Sequence, residues 1–203
     1  MRGGYLALEG VEGAGKSTVA DLLAEELRQS GREVTLVREP GATRLGEGIR
    51  RLLLHSEGEM APWAEALLFA AQRAQLAVEV VGPALASGRW VVSDRCYYSS
   101  LAYQGGGRGL GVEEVRMVNE AGLGDVLPDL VVVLDIDVEQ GLARQVIADR
   151  IGGEGLAFQR LVADTYRRLA ANEPARLGLV DASAPVETVV KRVRTMVEER
   201  LGW

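Results

Sequence analysis

Gly10-Val11-Glu12-Gly13-Ala14-Gly15-Lys16-Ser17 reads G-x-x-x-x-G-K-S, and the residues on either side decide what the match means. Before it, Tyr5 to Glu9 is an apolar run of strand length. After it, Ser17 to Arg28 carries Val19, Leu22, Leu23 and Leu27 at helical spacing. Strand, glycine-rich turn and helix are what a phosphate loop requires, because successive backbone N–H groups then line a concavity for phosphate oxygens at the positive end of a helix. Lys16 adds a mobile charge for the β- and γ-phosphates, and Ser17 offers a hydroxyl to Mg²⁺. The expected nucleotide contacts are therefore Gly10, Val11, Glu12, Gly13, Ala14, Gly15, Lys16, Ser17 and Thr18.

Working outward, Gly31 ends the first helix and Val34-Thr35-Leu36-Val37 follows as a second strand. Arg38-Glu39-Pro40-Gly41 breaks the chain. Leu45 to Leu54 reads as a short helix and Pro62 to Ser87 as a long one that Pro83 should kink or split. Trp90-Val91-Val92 is a third strand ending at Asp94-Arg95. Tyr103 to Gly111 holds five glycines in nine residues and is expected to be a loop feeding a helix from Val112 to Ala121. Leu130 to Leu134 and Leu177 to Val180 are the last two strands. Val138 to Ile147 starts a helix, Gly152 to Gly155 is a glycine-rich break, and helices are expected over Leu156 to Ala171 and Val186 to Leu201. Five apolar, mostly β-branched strands alternating with helices imply an α/β fold of three layers: a five-stranded parallel sheet with helices on both faces. A length of 203 residues suits one domain.

Composition removes several function classes. With 47% hydrophobic and 26% charged residues the chain can bury a core and is not of a disordered type. Apolar stretches such as Leu130 to Leu134 fall far short of the ~20 residues of a membrane span. No leader pattern precedes the first strand, so the cytoplasm is the expected location. A net charge of −6 offers no basic field for a nucleic-acid backbone. One cysteine, Cys96, and one histidine, His55, exclude an internal disulfide and a Cys/His zinc cluster.

The loop alone does not name a reaction, since GTPases, transport ATPases and small-molecule kinases share it. An Asn-Lys-x-Asp guanine-reading signature is missing, and a small phosphate-bearing acceptor fits better. Three further segments converge on one family. They are Arg38-Glu39-Pro40-Gly41-Ala42-Thr43, Phe69-Ala70-Ala71-Gln72-Arg73, and the Asp94-Arg95 to Gln104-Gly105 stretch, which reads D-R-x-x-x-S-x-x-A-Y-Q-G. With Glu9-Gly10 entering the loop and Pro128-Asp129-Leu130 before the fourth strand, the chain resembles the thymidylate kinases over its whole length.

The resemblance implies transfer of a phosphoryl group from ATP to dTMP, with Mg²⁺, by a homodimer. Such a site must neutralise two phosphate chains held end to end and read thymine. Arg95, at the carboxyl end of a central strand, suits the first task because a guanidinium grips phosphate bidentately. Asp94 resembles the acid that organises Mg²⁺, with Asp135 at the end of the fourth strand as its rival. Phe69 and Arg73 are four apart and share a helix face. The resemblance implies that Phe69 stacks on thymine, Arg73 reads its carbonyl edge and Tyr103 lies against the deoxyribose. Arg38, Pro40, Ser100 and Gln104 join the expected acceptor contacts, and Glu12 would meet the sugar hydroxyl or align Arg95. The alternatives are a kinase for another nucleotide or nucleoside, and a nucleotide-switched binding protein.

Three features depart from the family pattern. Members place a catalytic arginine in the phosphate loop or in a lid, and Val11, Glu12, Gly13 and Ala14 are all non-basic. The charge must then come from the lid, about residues 144–155, where Asp149-Arg150-Ile151 matches a D-R-[IFL] element. Arg150 is the first expectation and Arg144 the second. Ala42 stands where a second glycine is usual, and Cys96 where an aromatic or histidine is usual.

Overall fold

A computed structural model describes residues 3–56, 58–144 and 150–203 of the chain. Its centre is β1 (Tyr5–Glu9), buried along its whole length between β3 (Trp90–Asp94) and β4 (Leu130–Asp135). With β2 (Val34–Arg38) and β5 (Leu177–Asp181) at the edges, the sheet order is β2-β3-β1-β4-β5, and every pairing is parallel. Strands covered on both faces read as continuous apolar runs, which is why Leu130 to Leu134 shows no alternation.

Helices supply the two outer layers. The face of α1 (Lys16–Gln29) that carries Val19, Leu23 and Leu27 is buried. Thr43 caps α2 (Arg44–His55) by accepting from Gly46 N at 2.9 Å. The expected long helix is split in three: α3 (Pro62–Leu76), a π-helical turn over Ala77–Val81, and α4 (Gly82–Ala86). Pro83 explains the split, since it has no N–H to donate and its ring crowds the preceding turn. The remaining helices are α5 (Tyr97–Ser100), α6 (Val112–Leu123), α7 (Val138–Arg144), α8 (Leu156–Asn172) and α9 (Val186–Leu201). The end of the helix expected to reach Ile147 lies outside the described residues.

One expectation is corrected. The glycine-rich stretch from Tyr103 is not a loop at its start: α5 continues as a π-helical turn, Leu101–Gly107. A Cβ on Gly106 would lie 2.1 Å from Thr165 Oγ1, and one on Gly107 would lie 2.6 Å from the Phe158 ring. These glycines let the turn press against α8. Only Arg108 to Gly111 is left to connect it to α6.

The topology fixes where a ligand can sit. From β1 the chain runs one way to β2 and β3, then crosses to β4 and β5, so the carboxyl ends of β1 and β3 flank the crevice at the switch point. Gly10, Arg38 and Arg95 all leave strand ends there.

Candidate active site

A cavity of about 560 Å³ opens at those strand ends, within the size range of small-molecule sites. At one end are Gly13, Gly15, Lys16, Ser17, Thr18, Arg144 and Val186. At the other are Arg38, Glu39, Pro40, Arg50, Leu54, Phe69 and Gln104, with Glu12, Asp94, Arg95, Ser99 and Tyr103 between.

The phosphate loop is held close to the backbone of α7: a Cβ on Gly13 (φ 71°) would lie 1.9 Å from Gly141 O. Val11 and Ala14 are buried beneath it, so these two bring backbone rather than side chain to a ligand. Gly15 (φ 89°) starts α1 with no side-chain cap, so none competes for the first N–H groups. Lys16 Nζ donates to Val11 O at 2.8 Å. Burial, aided by Arg95 and opposed by Glu12 and Asp94, brings its ammonium down to about 8. Ser17 Oγ donates to Asp94 Oδ2 at 2.5 Å, while Asp94 Oδ1 is buried with no hydrogen-bond partner among the described residues. Asp135, its rival from the sequence, instead takes two bonds from Arg167 at 3.0 and 3.2 Å and does not line the cavity.

Arg95 sits at the middle of the cavity in a left-handed backbone conformation, φ 76°, which is uncommon for a residue other than glycine. Glu9 holds the turn around it. One Glu9 oxygen accepts from Cys96 N and Ser99 N, both at 2.8 Å, and the other from Ser99 Oγ and Tyr166 Oη, both at 2.6 Å. The guanidinium then pairs with Glu12, reaches Gly10 O at 3.3 Å and lies 5.2 Å from the centre of the Tyr103 ring. Burial alone would raise the Glu12 carboxyl, but Arg95 and Lys16 outweigh it and bring it down to about 2. Tyr103 is pushed up by burial and stays a neutral phenol. Cys96 is fully buried, and burial pushes its thiol up as well, so it is not a reactive thiolate.

At the far end Phe69 and Gln104 face the cavity. Arg73 lies beneath them, 2% exposed, with Nε on Glu39 at 2.5 Å and Nη1 on Ser100 Oγ at 3.0 Å and Asn119 Oδ1 at 2.5 Å. Ser100 is thus spent on Arg73, while its neighbour Ser99 lines the cavity. Burial raises the Glu39 carboxyl, and Arg73 offsets part of that rise. Ala42 has φ 61°, which explains why glycine is usual at that position. His55 ends α2 with its side chain exposed.

The two arginines expected of a lid go to different places. Arg144 lines the cavity, its Nη1 3.4 Å from Ala182 O. Arg150, the first expectation, is turned away from the cavity in this conformation: Nη1 meets Glu65 Oε2 at 2.7 Å and Nε donates to Leu53 O at 2.8 Å. The reason is electrostatic, because Glu65 is a buried carboxylate that needs cations and Arg150 is within reach. Asp149 lies outside the described residues. Sequence reasoning did not single out Arg50, Glu65 or Arg108, nor Glu9's role. An acid at helical spacing before Phe69 and an arginine on the α2 face behind a capping threonine were the available signals.

A parallel sheet with a phosphate loop at the end of its central strand, facing a second pocket with its own aromatic and arginines, defines a P-loop kinase with separate donor and acceptor ends. The family model described as thymidylate kinase matches residues 8–193, and this chain belongs to that family. Among similar chains, the thymidylate kinase of Pelotomaculum thermopropionicum is 46% identical over 99% of this chain and 95% of its own length. That of Caldanaerobacter subterraneus is 42% identical over 99% and 98%. The crystal structure of thymidylate kinase from Ehrlichia chaffeensis superposes with a TM-score of 0.83 at 28% identity, covering 97% of this chain and 100% of that one.

Proposed function

We propose that this chain phosphorylates dTMP to dTDP with ATP. An oxygen of the dTMP phosphate attacks the γ-phosphorus of ATP, the bond from that phosphorus to the β–γ bridging oxygen breaks, and ADP leaves with the bridging oxygen. The acceptor is already an anion, so no base is needed, and the protein's work is positioning and charge neutralisation. The single observation that carries the reading is one cavity joining the phosphate loop to the Phe69 pocket, with Arg95 between them.

In this reading the donor phosphates lie on Gly13 to Thr18. The dTMP phosphate meets Arg95, Arg38 and Arg50, the thymine stacks on Phe69, and Tyr103 with Glu12 borders the sugar. Arg73 supports the base pocket from below. Arg144 is the lid arginine assigned to the migrating group, and Arg150 is assigned to fastening the lid. Ser17 and Asp94 would hold Mg²⁺: one carboxylate and one hydroxyl suffice for an ion that keeps waters and takes phosphate oxygens, and the unpartnered Asp94 Oδ1 suits it. When bound, the ion neutralises charge on the phosphate oxygens.

A homodimer belongs to the same reading. Leu45 and Leu52 on α2, Trp63 and Leu67 on α3 and Met117 on α6 are exposed, and these helices pack side by side, α3 against both others. Such an apolar face calls for a cover, and a second copy supplies one. The location proposed is the cytoplasm, where the nucleotides are. Among the described residues no helix is long and apolar enough to cross a membrane.

Release of ADP should be measured with dTMP, dUMP, other monophosphates and thymidine as acceptors. The proposal expects dTMP to be preferred. No acceptor-dependent ADP would remove the kinase reading in favour of a nucleotide switch, and preference for thymidine would make the chain a nucleoside kinase.

A further inference from the structure

Glu65 lies on α3 four residues before Phe69, on the same helix face, and is fully buried. Three side chains converge on it. Gln104 Nε2 donates to Oε1 at 2.8 Å, Arg108 donates through Nε at 3.2 Å and Nη2 at 3.1 Å, and Arg150 Nη1 stands 2.7 Å from Oε2. Burial would raise the Glu65 carboxyl, but the bonds from Arg108 and Gln104 outweigh it and the group is held below its ordinary value. It is therefore ionised at neutral pH.

An ionised carboxylate only accepts. The amide of Gln104 can meet Glu65 with its NH₂ group and not with its oxygen, because a flip would bring two acceptors together. Gln104 lines the cavity beside Phe69 and Tyr103, and its Oε1 receives no donor among the described residues. From the direction of its bond to Glu65, the base end of the cavity is offered a carbonyl oxygen.

We infer that Glu65 locks the Gln104 amide so that its oxygen faces the acceptor base, selecting a base with an N–H at its pairing edge over one with a lone pair there. The inference rests on the proposed dTMP site and names what sets its choice of base. Thymine and uracil carry a hydrogen on N3 and satisfy Oε1. Cytosine has a lone pair on N3, which would face the locked oxygen, and a buried unpaired acceptor on each side is what rejects it. The 5-methyl group is irrelevant to this contact, so uracil and thymine are treated alike by it.

The test compares dissociation constants of dTMP, dUMP and dCMP, measured by calorimetry on the full chain and on Glu65→Gln. Glutamine at 65 can accept or donate, which frees the Gln104 amide to flip. The dTMP preference over dCMP should fall by about tenfold or more, while the preference over dUMP stays within about twofold of its original value. If both preferences fall together, Glu65 merely supports the pocket, and if neither moves, it does not set the amide; either result overturns the inference. Should Glu65→Gln not fold, Gln104→Leu removes both amide groups, and an unchanged dTMP-to-dCMP ratio there overturns it equally. Binding is read without turnover, so a chain that binds these nucleotides but does not phosphorylate them contradicts the proposed function and leaves the inference standing.

Discussion

Replacing Arg150 and Arg144 by methionine, one at a time, should produce opposite phenotypes. Arg150→Met removes the 2.7 Å contact to Glu65 and the 2.8 Å bond to Leu53 O, from a side chain 19% exposed onto one 1% exposed. Glu65 keeps Arg108 and Gln104, so its charge is still compensated and the loss stays below the ~3–5 kcal/mol of a stranded buried charge. One charge-assisted bond and one bond to a carbonyl together are worth about 2–3 kcal/mol. For a chain of this size that corresponds to a fall in Tm of roughly 4–12 °C. Its kcat should change less than about tenfold, because the guanidinium does not line the cavity. Among the described residues Arg144 makes a single hydrogen-bond contact, 3.4 Å to Ala182 O, so Arg144→Met should shift Tm by less than about 2 °C while lowering kcat by ~10³, the value of an arginine meeting charge at the transferring phosphoryl group. Thermal unfolding and a coupled ADP assay read the two quantities. A large kcat loss with unchanged Tm in the Arg150 variant, or full kcat in the Arg144 variant, would refute the assignment.

Two further outcomes follow from the loop. Lys16 titrates near 8 before nucleotide binds, and donor phosphates add negative charge that raises it. Below pH 8 it is charged in both states; above pH 8 binding must take up a proton, so ATP affinity should fall by up to about tenfold per pH unit. Calorimetry in buffers of different ionisation enthalpy should accordingly show proton uptake near pH 9 that shrinks toward pH 7, and uptake independent of pH would contradict the buried-lysine account. Glu9→Ala strands the N–H groups of Cys96 and Ser99 and releases the turn that places Arg95. It should cost about 2–4 kcal/mol of stability and ~10² in kcat/KM for dTMP, with Glu9→Gln recovering most of both. Equal activity in the two variants would show that Glu9 does not position Arg95.

The fold was legible because its signals are local. β-branched runs separated by helical periodicity define a covered parallel sheet, and the loop between Tyr5 to Glu9 and α1 places its centre. The glycine stretch failed for a non-local reason: Gly106 and Gly107 are small because α8 lies against them, and composition alone cannot distinguish close packing from a turn. The site divides the same way. That Lys16, Ser17, Arg95 and Phe69 line the cavity was readable because their spacing from strand ends or along a helix face fixes their direction. The destination of Arg150 was not readable, since a long flexible cation goes to whichever anion tertiary packing brings near, and Glu65 is 85 residues away in sequence. Arg73 carries a half-lesson. Its helix face was right, yet its guanidinium is engaged by Glu39, Ser100 and Asn119, partners scattered over three other segments.

The central claim is direct transfer between two nucleotides held in one cavity. It is tested most directly by ³¹P NMR of the full chain with ATP, Mg²⁺ and dTMP: the account predicts dTDP and ADP appearing in equal amounts with no inorganic phosphate, and ADP with inorganic phosphate but no dTDP would contradict it.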